Sequence, residues 1–162
     1  MNICIKKIEE KDKQELEKIY IQTVQQEFPE YSQQIRDHFT SGAYKQSMLD
    51  KHIKIGVFDD KKLIGFLLAD DPIGGVMFIF WLGIISNYQG KGLGTKLVHE
   101  IEQLAINMGV HNMQLQADER NLSFYKQLGF EILGFDQRGY FGVDSYIMKK
   151  LIQEPHPESF FN

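Results

Sequence analysis

Between residues 89 and 95 the chain reads Gln89-Gly90-Lys91-Gly92-Leu93-Gly94-Thr95, with a glycine at every second position. Such spacing leaves several consecutive amide hydrogens unobstructed by any Cβ, so a ligand can approach the backbone closely. An apolar run precedes the segment, and an amphipathic pattern beginning at Gly94 follows it. Amides at the start of a helix, reinforced by its dipole, form a cradle for an anion, and the chemistry implied is binding of a phosphate or pyrophosphate. Two common anion loops fail on the letters. A Walker A loop, G-x-x-x-x-G-K followed by Ser or Thr, would need Gly where Ile85 stands and a hydroxyl where Gly92 stands. A dinucleotide fingerprint, G-x-G-x-x-G, would need its third Gly at Thr95. The plainer alternative is a turn that binds nothing, but three glycines at a helix start cost stability with no return.

The elements that must position this loop are legible from periodicity. Ile3, Ile5 and Ile8 open a strand-like segment; from Glu10, Leu16, Ile19, Tyr20, Thr23 and Val24 recur at helical spacing as far as Pro29. Tyr31 to Leu49 reads as a second helix or two short ones, because Gly42 interrupts the pattern. Ile53 to Phe58 and Leu63 to Ala69 alternate as strands around the polar turn Asp59-Asp60-Lys61-Lys62. Val76 to Ile85 is apolar on both faces, as a buried central strand would be. Gly94 to Met108 is a helix with Leu97, Val98, Ile101, Leu104, Ala105 and Met108 on one stripe, stopped by Gly109. Met113 to Ala117, Glu131 to Phe135 and Ser145 to Leu151 read as further strands, with a short helix from Leu122 to Leu128.

Composition narrows the class. A chain of 162 residues, 43% hydrophobic and 25% charged, supports one well-buried core. A net charge of -4 with scattered Lys and Arg argues against nucleic acid as a partner. Cys4 is the sole cysteine, which excludes an intramolecular disulfide, and its apolar neighbours suggest a small buried hydrophobe. No set of His, Asp, Glu or Cys has metal-ligand spacing, so no metal is expected. Lys6, Lys7, Glu9 and Glu10 break any secretory h-region, and the longest apolar run is about half the ~20 residues that span a bilayer. A cytoplasmic protein without membrane association is the expectation.

The loop resembles the signature R/Q-x-x-G-x-G/A of the GNAT superfamily of acyl-CoA-dependent N-acetyltransferases, matched by Gln89, Gly92 and Gly94. Phe124-Tyr125-Lys126-Gln127-Leu128-Gly129-Phe130 is similar to the family's F-Y-x-x-x-G-F segment, and Leu115-Gln116-Ala117 to the L-x-A ending of its fifth strand. Two motifs in order, joined by an amphipathic helix and a strand, are far more specific than either alone. The resemblance implies a mixed α/β (α+β) fold: a mostly antiparallel central sheet of about seven strands, helices on both faces, and fourth and fifth strands that splay apart. It implies acetyl-CoA as co-substrate, with the backbone of Leu82, Gly83 and Ile84 pairing with the pantetheine amides. Gln89, Gly90, Lys91, Gly92, Leu93, Gly94 and Thr95 would form the pyrophosphate loop.

By the same resemblance a neutral primary amine attacks the thioester directly, and Tyr125 protonates the departing thiolate. An ordinary core tyrosine is the alternative for Tyr125. No base is evident: the run Val76 to Ile85 has no ionisable residue, and Glu27, Glu30, Asp37, His38, Asp118 and Glu119 each read as a solvated surface charge before a base. Asp118 stands where many members carry an Asn that contacts the cofactor, and an ionised acid cannot donate there. His99 and His111 are given no role. Residues 1–152 are expected to form a single N-acetyltransferase domain and 153–162 a frayed tail, although Phe160 and Phe161 could dock. The acceptor is a small-molecule or peptidyl amine; the stretch Arg138 to Met148 is loosely similar to protein N-terminal acetyltransferases. Many members are dimers, so a homodimer is compatible, without any marked self-complementary face. The alternative from another class is a non-catalytic module that binds acyl-CoA as a sensor.

Overall fold

A computed structural model describes residues 1–161. The chain runs β1 (Ile3–Lys7), α1 (Lys13–Glu27), α2 (Gln33–Phe39), α3 (Gly42–Leu49), β2 (Ile53–Asp59), β3 (Lys62–Ala69), β4 (Val76–Ile84), α4 (Leu93–Asn107), β5 (Asn112–Ala117), α5 (Leu122–Gln127), β6 (Glu131–Asp136) and β7 (Ser145–Leu151). The strands form one mixed, mostly antiparallel sheet in the order β1-β2-β3-β4-β5-β7-β6. The parallel pair β4–β5 is in register only from Val76↔Asn112 to Ile79↔Leu115. Pairing stops there although β4 continues to Ile84, in keeping with the parting expected of the fourth and fifth strands.

Two compact units make up the fold: Met1–Ala69 with Trp81–Leu97, and Asp70–Phe80 with the chain from Val98 onward. The first holds a core of Ile8, Leu16, Ile19, Tyr20, Val24, Phe39, Leu49, Phe58, Phe66 and Leu68, against which Trp81 and Ile85 pack. The apolar stripe of α1 supplies Leu16, Ile19, Tyr20 and Val24 to it, as the helical spacing requires. Burial of Tyr20 is tolerated because its hydroxyl donates to Phe39 O at 3.0 Å. Thr23, also buried, donates to Ile19 O at 2.6 Å. The polar stretch after Pro29 resolves into two short helices. Ser32 caps α2 by accepting from Ile35 N at 3.3 Å, and the break falls at Thr40-Ser41, just before Gly42.

In the second unit Met77, Ile79, Val98, Ile101, Ala105, Met113, Leu115, Phe130 and Met148 are buried. The stripe of α4 is narrower than its spacing suggests, since Leu104 and Met108 are each 38% exposed. Nor is β4 sealed on both faces, because Phe80 is 37% exposed. At the far edge, β6 pairs among the described residues with β7 alone and shows Ile132, Leu133 and Phe135 to solvent, with a register shift between Ile132 and Gly134.

Two further expectations are corrected. Cys4 is exposed rather than a buried hydrophobe: β1 is an edge strand, and alternation turns Cys4 and Lys6 outward while Ile3 and Ile5 are half-buried. The tail is packed rather than frayed as far as Phe160. Gln153 Nε2 donates to Ile106 O at 3.0 Å and Val110 O at 2.7 Å, and the Phe160 ring lies 5.5 Å from that of His111. Ile106 O also accepts Gly109 N at 3.1 Å, and Val110 follows the end of α4, so the Gln153 amide ties the tail to the turn that closes the helix. Phe161 is exposed.

Candidate functional site

Within the first unit the strand end and the glycine loop form one continuous stretch. Leu82 is half-buried, and Gly83 and Ile84 are buried. A Cβ at Gly83 would lie 2.7 Å from Thr23 Cγ2 and 2.8 Å from Phe66 Cε1, so close packing against α1 and β3 demands glycine there. After Ile84 a single 3₁₀ turn, Ser86–Tyr88, leads into Gln89.

The residues of this turn are tied to three different elements. Ser86 Oγ donates to Glu27 Oε1 of α1 at 3.1 Å. Tyr88 Oη donates to Asp59 Oδ2 of β2 at 2.9 Å. Gln89 Nε2 donates to Ile84 O of β4 at 2.8 Å. The donated bond from Tyr88 and the backbone N–H of Asn2 together hold the Asp59 carboxyl below the usual carboxylate range.

Beyond Gln89 the chain loosens into the glycines. Gly90 and Gly92 adopt φ of 71° and 73°, the left-handed region that other residues reach only at a cost. A Cβ at either position would meet nothing within 4 Å, so the backbone conformation selects glycine here, not crowding. The first bond of α4 runs from Lys96 N to Gly92 O at 3.1 Å. Among the described residues, the amides of Leu93, Gly94 and Thr95 have no backbone acceptor, as expected of a first helical turn. Open space in front of two left-handed glycines, followed by donors without partners, fits a phosphate-bearing ligand.

Lys91 is exposed, with its ammonium 5.1 Å from the centre of the Tyr88 ring. Its side chain is thereby engaged within the loop. Lys91→Ala is expected to weaken CoA binding by no more than about fivefold, measured by calorimetry, because an exposed, salt-screened charge contributes little beside the backbone amides. A hundredfold loss would show that Lys91 grips a phosphate directly.

Tyr125 belongs to the second unit. It is half-buried on α5, its ring 4.9 Å from that of Phe124 and 5.7 Å from that of Phe130, both edge-on. Burial, with the Asp118 carboxylate adding to it, pushes the phenol well above its ordinary value, so the hydroxyl keeps its proton far into the alkaline range. Its hydroxyl has no hydrogen-bond partner among the described residues. The carboxylate of Asp118 is used locally: it accepts from Asn121 N at 3.0 Å and from Arg120 Nη2 at 2.9 Å.

The acids considered as bases differ in availability. Asp37 accepts from Gln33 at 2.7 Å and Gln25 at 3.0 Å, which lowers its proton affinity and makes it a poor base. Glu27 carries the Ser86 hydroxyl. The His111 ring packs at a tilt against Phe160 of the tail. Among the described residues no group of three metal-ligating side chains is found, and no helix is long and apolar enough to cross a membrane.

Sequence reasoning missed two features of the site. Tyr88 and Asp59 are far apart in the chain, and the sheet brings them together: Asp59 at the end of β2 pairs with Lys62 of β3, and Ile85 N just before the turn donates to Ile64 O of β3 at 3.0 Å. The aromatic cluster in which Trp81 meets Phe28 at 4.8 Å, Phe39 at 5.8 Å and Tyr20 at 5.9 Å had no signal beyond aromatic letters within the helical pattern.

Comparison with known proteins gives the family. GCN5-related N-acetyltransferase 2, chloroplastic, of Arabidopsis thaliana is 35% identical over 72 residues, 44% of this chain and 28% of that protein. N-alpha-acetyltransferase RimI of Mycobacterium tuberculosis is 31% identical over 77 residues, 46% of this chain and 48% of that protein. The chain thus spans less than half the length of these curated relatives. The crystal structure of PaiA N-acetyltransferase from Thermoplasma acidophilum in complex with coenzyme A superposes with a TM-score of 0.79 at 22% identity, covering 93% of this chain and 99% of that one. The family model for the acetyltransferase (GNAT) family matches residues 12–130, the greater part of the sequence and the whole stretch from α1 to Phe130, and the chain belongs to that family.

Proposed function

We propose that the protein is an N-acetyltransferase that uses acetyl-CoA and a primary amine, with residues 1–152 as the catalytic domain. The observation that carries this reading is the row of backbone amides from Gly90 to Thr95, opened by two left-handed glycines at the start of α4. The family match and the coenzyme A complex of a structural neighbour support CoA as the ligand of that row.

Acetyl-CoA, when bound, supplies the acetyl group as a thioester activated toward an amine. The backbone of Leu82, Gly83 and Ile84 then holds the pantetheine arm as an added strand would. Amides from Gly90 to Thr95 hold the pyrophosphate. Gln89 acts from behind, keeping the loop against Ile84 O. Attack is direct: the amine nitrogen forms the new C–N bond as the C–S bond breaks, Tyr125 Oη delivers its proton to the sulfur, and the proton shed by the nitrogen passes to solvent, from which the phenolate is reprotonated. Neither Cys4, which lies exposed on β1, nor any other side chain needs to carry the acetyl group.

The acceptor is a small-molecule or peptidyl amine, a class consistent with the alpha-amine acetylation named for the mycobacterial relative. The reading is tested by following thiol release from acetyl-CoA against a panel of small amines and peptides with free N-termini or lysines. Turnover with at least one acceptor, with the acetyl group found on its nitrogen, is expected. Tight acetyl-CoA binding without turnover on any amine would move the assignment to an acyl-CoA sensor.

A further inference from the structure

The glycine loop is held from behind by a side-chain pair on which neither motif bears. Tyr88 lies two residues before Gly90, and its hydroxyl donates to Asp59 Oδ2 at 2.9 Å. Asp59 is itself fixed: its other oxygen, Oδ1, accepts Asn2 N at 2.9 Å, and Asp60 N donates to Asn2 O at 3.0 Å. Beneath these bonds lies the β1–β2 ladder, with Ile3 opposite Asp59. The Tyr88 ring in turn carries the Lys91 ammonium, so its placement also sets that of the only charged side chain between Gly90 and Thr95.

A loop with glycines at 90, 92 and 94 has many conformations open to it, and ordering it on a ligand costs affinity. Bracketing lowers that cost. On the helix side the loop is fixed where Lys96 N meets Gly92 O. On the strand side the fixed points are Ser86, Tyr88 and Gln89. Of these, Tyr88 is the one whose tie runs to the β2–β3 hairpin and whose ring touches the loop's cation.

We infer that Tyr88 and Asp59 are positioning residues for the cofactor loop, a hydroxyl-to-carboxylate tether that preorganises the Gly90–Thr95 amides for a pyrophosphate. This rests on the proposed CoA reading. The tether acts on cofactor affinity and leaves the chemical step alone, because neither side chain contributes to the reacting atoms.

The test is CoA titration by calorimetry together with steady-state kinetics on Tyr88→Phe, Asp59→Ala, Asp59→Asn and the Tyr88→Phe/Asp59→Ala double variant. Tyr88→Phe and Asp59→Ala should each weaken CoA binding about three- to tenfold and raise KM for acetyl-CoA to match, with kcat within about twofold, as befits one partly exposed hydrogen bond to a carboxylate. The double variant should be no worse than Asp59→Ala alone, since Asp59→Ala already removes the bond that Tyr88→Phe removes. Asp59→Asn, whose Oδ1 can go on accepting Asn2 N while its amide N–H donates to the Tyr88 oxygen, should stay within about twofold of wild type. Unchanged CoA affinity in Tyr88→Phe would overturn the inference while leaving the CoA reading intact. So would additive losses in the double variant, or an Asp59→Asn as weak as Asp59→Ala. Wild-type protein that binds no CoA would overturn both.

Discussion

Tyr125→Phe should lower kcat by about 10²–10⁴-fold while KM for acetyl-CoA and CoA affinity stay near wild type. The range is that of general acid catalysis by a positioned side chain. Phenylalanine keeps the edge-on contacts to Phe124 and Phe130, so the fold around α5 survives and only the proton donor is lost. A loss confined to kcat marks an interaction made in the transition state alone. The leaving thiol provides a second axis. A more acidic thiol needs less protonation, so the deficit should shrink with such a donor. The pH profile is a third: burial raises the phenol's proton affinity, so Tyr125 remains a donor throughout the neutral and mildly alkaline range. Any alkaline fall in wild-type activity below the ordinary tyrosine range must then come from another group. Full turnover by the Phe variant on the acceptor that the wild type uses would make Tyr125 a structural residue.

Gly92→Asp should nearly abolish CoA binding, and its comparison with Gly92→Asn separates the two reasons. At φ 73° any side chain costs about 1–2 kcal/mol, with Asn and Asp the most tolerant of the alternatives. The Cβ would project into open space, so neither variant should disturb the core. Gly92→Asn is therefore expected to weaken CoA up to about tenfold, through backbone strain and obstruction of the cradle. Gly92→Asp adds like charge beside a pyrophosphate, and a further loss of at least about tenfold is expected in low salt. Screening should narrow the gap between the two variants as ionic strength rises, whereas the steric part should not move. Two folded variants with wild-type affinity would remove the pyrophosphate assignment from this loop.

Much of the fold was legible because its signals are local. The period of α1, the alternation of β2 and β3, and the strand–glycine–helix succession around Gln89 to Thr95 are written in neighbouring residues, and the strand count and order of elements follow. What was not legible depends on distant partners. Cys4 looked like core because its neighbours are apolar, yet its burial is decided by which side of an edge strand it faces. Leu104 and Met108 fit the helical stripe of α4 by spacing and still lie at its exposed margin. The tail's prolines forbid a strand, but they say nothing of the acceptors that Gln153 finds at Ile106 and Val110. At the site the motif letters pick out the glycines that the backbone needs, while the ties that hold them, from Ser86, Tyr88 and Gln89, run to Glu27, Asp59 and Ile84 in three separate elements. The base stays hidden for a related reason: an acid's basicity is set by what it touches, as Asp37 shows with its two amide donors.

The outermost strand, β6, carries a hazard and its own remedy. An unpaired row of N–H and C=O groups flanked by Ile132, Leu133 and Phe135 is a template on which another chain can add a strand and start an aggregate. Three features blunt it. The irregularity between Ile132 and Gly134 breaks the flat register that stacking needs. Gly134, lying among the apolar residues, weakens the strand as a template. Glu131 and Asp136 close the strand at both ends, so a second copy laid antiparallel and in full register would set carboxylate against carboxylate. Solubility at high concentration is thus guarded by two acids and a kink at one edge of the sheet, and substitutions there bear on shelf life before they bear on catalysis.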